Sequence, residues 1–416
     1  MSPLLAFSPW LALYTLTGPL FAALLVIVTL LGRRRLDRLI QHSRRWRSEG
    51  GPTLDRDNLP RVTVVIPVKD EAGGIEQCVR TLLNQDYPNL DVLVIDDRST
   101  DGTREILARL AGEVGKRLRV QHIDRLADGW LGKPHALHHG VTDAGDNLGD
   151  WLVFVDSDVQ AATDAVSHCM ALALERNYHM VSLLTGLIAP TLIEKLVTPT
   201  AAAVWMVVFK AAHTNNDNRT RYASANGQYL MIRRDILAEI GGHAAVRDKT
   251  CEDVELARLV KTQGREVRFF VGRHLAWTRM HSTWPQLYNG WARNFAGSAR
   301  HRRGPIAAGL LGLLSLAQWP MALGLGAFLR DPFWLALGGL HLAIVLVWFS
   351  IVYLAAFTPT RGDKPEDTAT RLGLIGCVAL ASIHLVPVLL TSVLMLNAIR
   401  VCRGGRVMWR GSLVRA

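Results

Sequence analysis

The chain has 416 residues, 49% of them hydrophobic, and a net charge of +11. Such a basic balance points first to nucleic acid, but sixteen arginines, more than the whole net charge, stand beside apolar runs, as the positive-inside rule and anionic headgroups require. That placement excludes nucleic acid and substitutes a membrane, while five cysteines (Cys78, Cys169, Cys251, Cys377, Cys402) without a CxxC pair exclude a disulfide framework and suit a reducing cytoplasm.

The first apolar run, Trp10–Gly32, is followed by its basic cluster (Arg33, Arg34, Arg35, Arg38, Arg44, Arg45 and Arg47) and shows no small-residue cleavage site. It therefore reads as a retained anchor over 1–32 and not a signal peptide, with a basic juxtamembrane linker over 33–60. By the positive-inside rule the next segment lies in the cytoplasm.

From Arg61 the pattern changes. "RVTVVIPVKDE" opens with a continuous β-branched run, the mark of a strand covered on both faces. An amphipathic helix, Ile75–Leu83, follows, and "DVLVIDDRSTDGT" repeats the form. "LRVQHI", a helical "KPHALHHGVTDA" and "WLVFVDSDV" continue the alternation. Strand–helix repetition predicts an α/β domain with a mostly parallel sheet, whose ligands bind outside the carboxyl ends of the strands. Three strand ends carry acids: Asp70 and Glu71, Asp96 and Asp97, Asp156 and Asp158. The absence of GxGxxG after the first strand disfavours a dinucleotide fold. "GWLGKP" lacks the glycine and Ser/Thr of a P-loop, having Ala127 and Pro134 in those places.

Asp156 and Asp158, two apart at a strand end, suit a hard divalent cation bridging a diphosphate. Lys133, after two glycines and before a helix, is placed to meet phosphate oxygens. Glu252 and Asp253 open an amphipathic helix, where a carboxylate can take a proton from an attacking hydroxyl. His135, His138 and His139 share helical spacing but have no fourth ligand, and read as surface and packing residues. Trp284, Leu287, Trp291 and Phe295 form a stripe beside basic residues, the pattern of an interfacial amphipathic helix over 281–304. The apolar stretch between Met180 and Ala212 is too interrupted to span, and either lines a route for a lipid or is core.

Three more runs, Ile306–Leu329, Phe333–Phe357 and Leu372–Leu396, reach the roughly 20 apolar residues of a membrane helix. They form a membrane segment over 305–397, followed by a basic tail over 398–416. Three full crossings would put the arginines from Arg400 to Arg415 outside, against the charge rule. The run Ile306–Leu329, interrupted by Pro320 and four glycines, is the expected re-entrant piece.

Taken together, these motifs resemble the membrane-bound family 2 glycosyltransferases, which have a GT-A fold, over roughly Arg61 to Gly297. "VVIPVKDE" is similar to that family's first strand, "VIDDRSTDGT" to its nucleoside-binding segment, "VDSD" to its DxD, and "ANGQYLMIRRDILAEIGGH" followed by "CEDVELARLVKTQG" to its acceptor-side segment and ED motif. "WRG" (Trp409 to Gly411) resembles the end of ceramide-glucosyltransferase-like and hopene-associated members. The resemblance implies a GT-A domain over 61–280 in the inner membrane of a bacterial cell, facing the cytoplasm. It implies Asp96 or Asp97 with Glu71 and Pro67 at the nucleoside, Lys133 and Asp156 at the diphosphate, and Mg²⁺ or Mn²⁺ on Asp156 and Asp158. Asp253 would be the general base, supported by Glu252. "QLYNGWARN" departs from the family's QxxRW motif and leaves Gln286, Trp291 and Arg293 as its acceptor or diphosphate residues. The implied reaction moves a sugar from a UDP-sugar to a lipid hydroxyl; synthesis of an extracellular polysaccharide, or non-catalytic nucleotide-sugar binding, is the alternative.

Overall fold

A computed structural model describes residues 17–31, 59–216, 222–281, 283–300, 302–357, 372–404, 406–409 and 412–415. The arginine cluster from Arg33 to Arg47, and Arg410 and Gly411 of the "WRG" motif, lie outside the described residues. The chain enters through helix α1 (Thr17–Leu31).

The first half of the domain alternates as its sequence predicts: β1 (Val62–Val68), α2 (Ile75–Leu83), β2 (Leu90–Asp97), α3 (Thr103–Val114), β3 (Leu118–Ile123), α4 (Gly132–Ala144) and β4 (Trp151–Val155). Then come β5 (Val159–Ala161), α5 (Ala165–Arg176), β6 (Met180–Leu184), β7 (Gly186–Leu187) and α6 (Leu192–Val208). The domain closes with β8 (Tyr229–Arg233), α7 (Arg234–Glu239), α8 (Glu252–Thr262), β9 (Val267–Val271), β10 (Ala276–Thr278) and α9 (Trp284–Ser298).

Seven strands form one sheet in the order β3-β2-β1-β4-β8-β6-β9, parallel except for β8, which runs antiparallel to both neighbours. All seven residues of β1 are buried. Alternate residues feed two separate cores: Val62, Val64 and Ile66 pack with α2, and Val65 with Leu93, Ile95 and the buried face of α4. Each such side chain contributes about 1.5–3 kcal/mol of apolar burial. A smaller sheet, β5-β10-β7, stands beside the first.

The remaining helices are α10 (Arg303–Ser315), α11 (Trp319–Leu329), α12 (Pro332–Phe357), α13 (Leu374–Ser382) and α14 (Leu385–Val401), followed by the hairpin β11 (Arg406–Trp409) and β12 (Ser412–Arg415). Two helices, Arg303–Leu329 and Pro332–Phe357, are long and apolar enough to cross a membrane. The expected re-entrant run is thus one of the long pair; the sharp break falls instead in the last run, where α13 and α14 meet at a 67° bend.

Two further differences concern α6 and α9. The interrupted stretch before Ala212 becomes α6, opened by a capping box between Thr191 and Glu194 and carrying Pro199 inside. On α9, the stripe read as interfacial turns inward: Leu287, Trp291 and Phe295 are buried among residues of α6, α10, α12 and α14. The spacing was that of an apolar face; its partner is protein because these helices pack directly onto the domain.

Candidate active site

The carboxyl ends of β1, β2 and β4 open into a cavity of about 1460 Å³. Pro67, Asp97, Lys133, Asp156, Asp158, Glu252 and Asp253 all line it, brought from segments up to 186 positions apart by the parallel sheet.

Lys133 stands in the first turn of α4 and bridges two sides of the cavity. Its Nζ lies 2.7 Å from Asp156 Oδ1 at the end of β4 and 2.8 Å from Glu252 Oε1 at the start of α8. Burial works against its charge, but Asp156, Glu252 and Asp253 outweigh it and raise the ammonium pKa.

Asp253 is held by backbone: Oδ2 accepts the Gly227 N–H at 2.6 Å and Oδ1 the Val254 N–H at 2.8 Å. Burial, and then the Glu252 carboxylate beside it, push its pKa up to about 7, with Lys133 and the two amides pulling the other way. A carboxylate that exchanges its proton near neutrality suits general base work. Gly227 lies in the acceptor-side segment of the resemblance but is not singled out there as a site residue. A side chain there would begin 2.7 Å from Lys133 Nζ, 3.3 Å from Asp253 Oδ2 and 3.4 Å from Glu252 Oε1. The available signal was a glycine two residues before a strand, which marks close approach of other groups.

The acidic pair after β2 divides. Asp97 lines the cavity, gripped by the Arg98 guanidinium at 2.7 and 3.0 Å. Asp96 is fully buried behind it, bonded to Ser99 N–H, His122 and Arg104, and those partners hold its carboxyl below the usual range despite its burial. Of the two, Asp97 is the one within reach of a ligand. Glu71 lies outside the cavity lining and its carbonyl receives the Gly74 and Ile75 N–H groups that start α2.

On α9, Trp291 and Arg293 line the cavity, whereas Gln286 does not, its Oε1 accepting the Thr283 N–H at 3.2 Å. The buried indole Nε1 of Trp291 has no hydrogen-bond partner among the described residues. Gly290 lets α9 come close to His281, whose ring would lie 2.3 Å from a Cβ at that position. Among the described residues His135, His138 and His139 join no group of three or more His, Cys, Asp or Glu; His138 stacks on Trp130 at 4.8 Å.

Away from the carboxylates the walls become apolar. Val28 and Leu31 of α1, Ala202, Ala203 and Met206 of α6, and Ile351 and Leu354 of α12 continue the same cavity.

Residues 63–241 match the family described as Glycosyl transferase family 2. The chain carries a family 2 glycosyltransferase domain. The match ends before Glu252 and Asp253. The beta-monoglucosyldiacylglycerol synthase of Nostoc sp. is 32% identical over 151 residues, covering 36% of this chain and 30% of that protein. A probable glycosyltransferase, YdaM, of Bacillus subtilis is 28% identical over 224 residues, covering 51% and 49%. The chain thus spans less than half the length of these relatives. Among solved structures, a mannosyltransferase of Pyrobaculum calidifontis in complex with GDP-Man and Mn²⁺ has a TM-score of 0.46 at 20% identity, covering 78% of this chain and 97% of that one.

Proposed function

We propose that the protein transfers a sugar from a UDP-sugar to a hydroxyl of a membrane lipid, with inversion, at the cytoplasmic face of a bacterial inner membrane. The observation that carries this reading is the continuity of the cavity, from a cluster of carboxylates and a lysine to walls supplied by α1, α6 and α12. Ligand pockets for one small molecule run to about 1,000 Å³; this one has room for a donor and part of a lipid.

The residues divide the work. Pro67 and Asp97 line the nucleoside end, and Lys133 meets the diphosphate. Asp156 and Asp158 supply two hard oxygen donors but no third protein ligand; among the described residues no group of three or more His, Cys, Asp or Glu gathers. That donor set fits Mg²⁺ or Mn²⁺, which accept one or two carboxylates and complete their shells with phosphate oxygens and water. When bound, such a cation stabilises negative charge on the departing diphosphate.

Asp253 takes the proton of the acceptor hydroxyl while its oxygen forms a bond to the anomeric carbon. The bond from that carbon to the phosphate oxygen breaks, and its electron pair leaves on UDP. Lys133, already a cation held in place by two carboxylates, faces the charge as it develops. Glu252 keeps Lys133 in position and the Asp253 proton affinity high. Trp291 and Arg293 stand on the acceptor side.

Membranes containing the protein, incubated with a panel of labelled UDP-sugars and extracted with organic solvent, test the reading. Label in the organic phase that disappears with Asp253→Asn supports it. Label confined to an insoluble polymer, or UDP released with no transfer, overturns the lipid acceptor.

A further inference from the structure

We infer that the last apolar run is a shallow re-entrant elbow: α13 enters the membrane obliquely from the side of the glycosyltransferase domain, α14, turned by 67° at the break, returns obliquely to that side, and the basic segment from Arg400 to Arg415 lies with the active site. The inference rests on the membrane reading of the apolar helices and not on the reaction.

The two long helices set the depth scale. At about 1.5 Å per residue, 27 and 26 residues each exceed the roughly 30 Å hydrocarbon core. They are antiparallel neighbours joined through Arg330 and Asp331, with Gly326 close against Leu335 and Gly338 against Leu323. Their opposite ends meet the domain. Ile351 and Leu354 near the end of α12 line the catalytic cavity, and Arg273 donates to the Ala355 carbonyl. The start of α10 follows α9, whose Trp291 and Arg293 line that cavity. The turn at Arg330–Asp331 is therefore the distal end.

The run from Leu372 begins at the domain side, because the Leu372 N–H donates to the Phe357 carbonyl at 3.3 Å. The nine residues of α13 rise only about 14 Å, under half the core. The elbow that follows does not reach the distal turn. His384 accepts the Trp319 indole N–H at 2.9 Å and lies 5.6 Å from the Phe349 ring. Along their own helices Trp319 is about 15 Å short of Leu329, and Phe349 about 25 Å short of Pro332. From this middle depth α14 heads back. Its Met395 packs at Gly309, about 9 Å from the start of α10, where a Cβ would lie 3.0 Å from the methionine methyl. Further along, α14 packs on α9, and so does β11.

A broken helix at membrane depth is tolerated only where its polar groups find partners within the protein. The elbow meets that demand. The Ile383 and His384 N–H groups bond to Leu380 and Ala381, and the Val386 and Val388 N–H groups to Ile383 and His384. The His384 Nδ1 lies 3.0 Å from the Ala381 carbonyl, so a neutral ring with its proton there satisfies both nitrogens. Two crossings and one re-entrant elbow also remove the conflict in the charge pattern: the late arginines fall on the domain side, the side to which the charge rule assigns Arg33 to Arg47.

The test is accessibility in a bacterial host. In a background without the five native cysteines, Asp331→Cys and Arg403→Cys are exposed singly to a membrane-impermeant maleimide. Labelling of Asp331→Cys in intact cells, with Arg403→Cys labelled only after permeabilisation, is expected. Labelling of Arg403→Cys in intact cells overturns the re-entrant elbow. Should the cysteine-free chain fail to fold, alkaline phosphatase fused after Ala416 of the native chain gives an independent reading: inactive enzyme is expected, and active enzyme overturns the inference. Neither measurement depends on glycosyl transfer.

Discussion

Lys133→Met removes a cation that touches both sides of the cavity, and its effect on Asp253 can be sized. A Cβ on Gly227 would lie 2.7 Å from Lys133 Nζ and 3.3 Å from Asp253 Oδ2, so the two charged atoms are at most 6.0 Å apart. At an effective dielectric of ~20 that separation corresponds to about 2.8 kcal/mol, or about 2 pKa units at 1.36 kcal/mol each. The lysine side chain is 33% exposed, and water screens part of this, leaving an expected shift of about one to two units. As the proposed base, Asp253 acts deprotonated, so kcat/KM should rise with pH and level off above about 7 in the native protein. In Lys133→Met that limb should move to about 8 to 9, while Lys133→Arg should leave it near 7. Stability runs the opposite way: a raised carboxylate pKa favours folding fully below the ordinary carboxylate range, and that contribution is lost as pH rises through about 7. The assay is kcat/KM for transfer from a UDP-sugar to extracted lipid across pH 5 to 10, at saturating divalent cation. An unmoved acidic limb in Lys133→Met, with activity still measurable, would refute the reasoning.

Three other outcomes are expected. Asp253→Asn should cut transfer by about 10²- to 10⁴-fold while UDP affinity by calorimetry stays within a factor of two; retained transfer removes Asp253 as the base. Asp158→Ala should weaken UDP binding more than tenfold in Mn²⁺ and scarcely in chelator, and equal affinities in Mn²⁺ would remove it as a cation ligand. Gly227→Ala, which sets a methyl group against Lys133, Asp253 and Glu252, should lower transfer by about 10²-fold with an unaltered melting temperature; native-level activity would show that the trio tolerates displacement.

The parallel half of the sheet was legible because its strands are covered on both faces and read as unbroken apolar runs, each ending in acid. The antiparallel insertion of β8 was not, since a buried strand carries no mark of its direction. Asp96 and Asp97 could not be told apart by spacing, which fixes alternate faces but not which face a ligand meets. The Glu252–Asp253 helix start was visible, yet its tie to Gly227 joins positions 26 apart through a backbone amide, which leaves no side-chain signature. The broken last run was obscured for a similar reason: its elbow is stabilised by Trp319 and Phe349 from other helices, so Pro and Gly counts pointed to the wrong segment.

The cavity has one wall of charge and another built from the flanks of α1, α6 and α12. Under the proposed reaction its two reactants arrive from different phases, the donor counted per volume of water and the acceptor per area of bilayer. Diluting a suspension of membranes leaves the acceptor as crowded around each molecule as before, whereas adding inert lipid thins it out. The acceptor's saturation constant is in that case a mole fraction within the membrane and not a concentration in the tube.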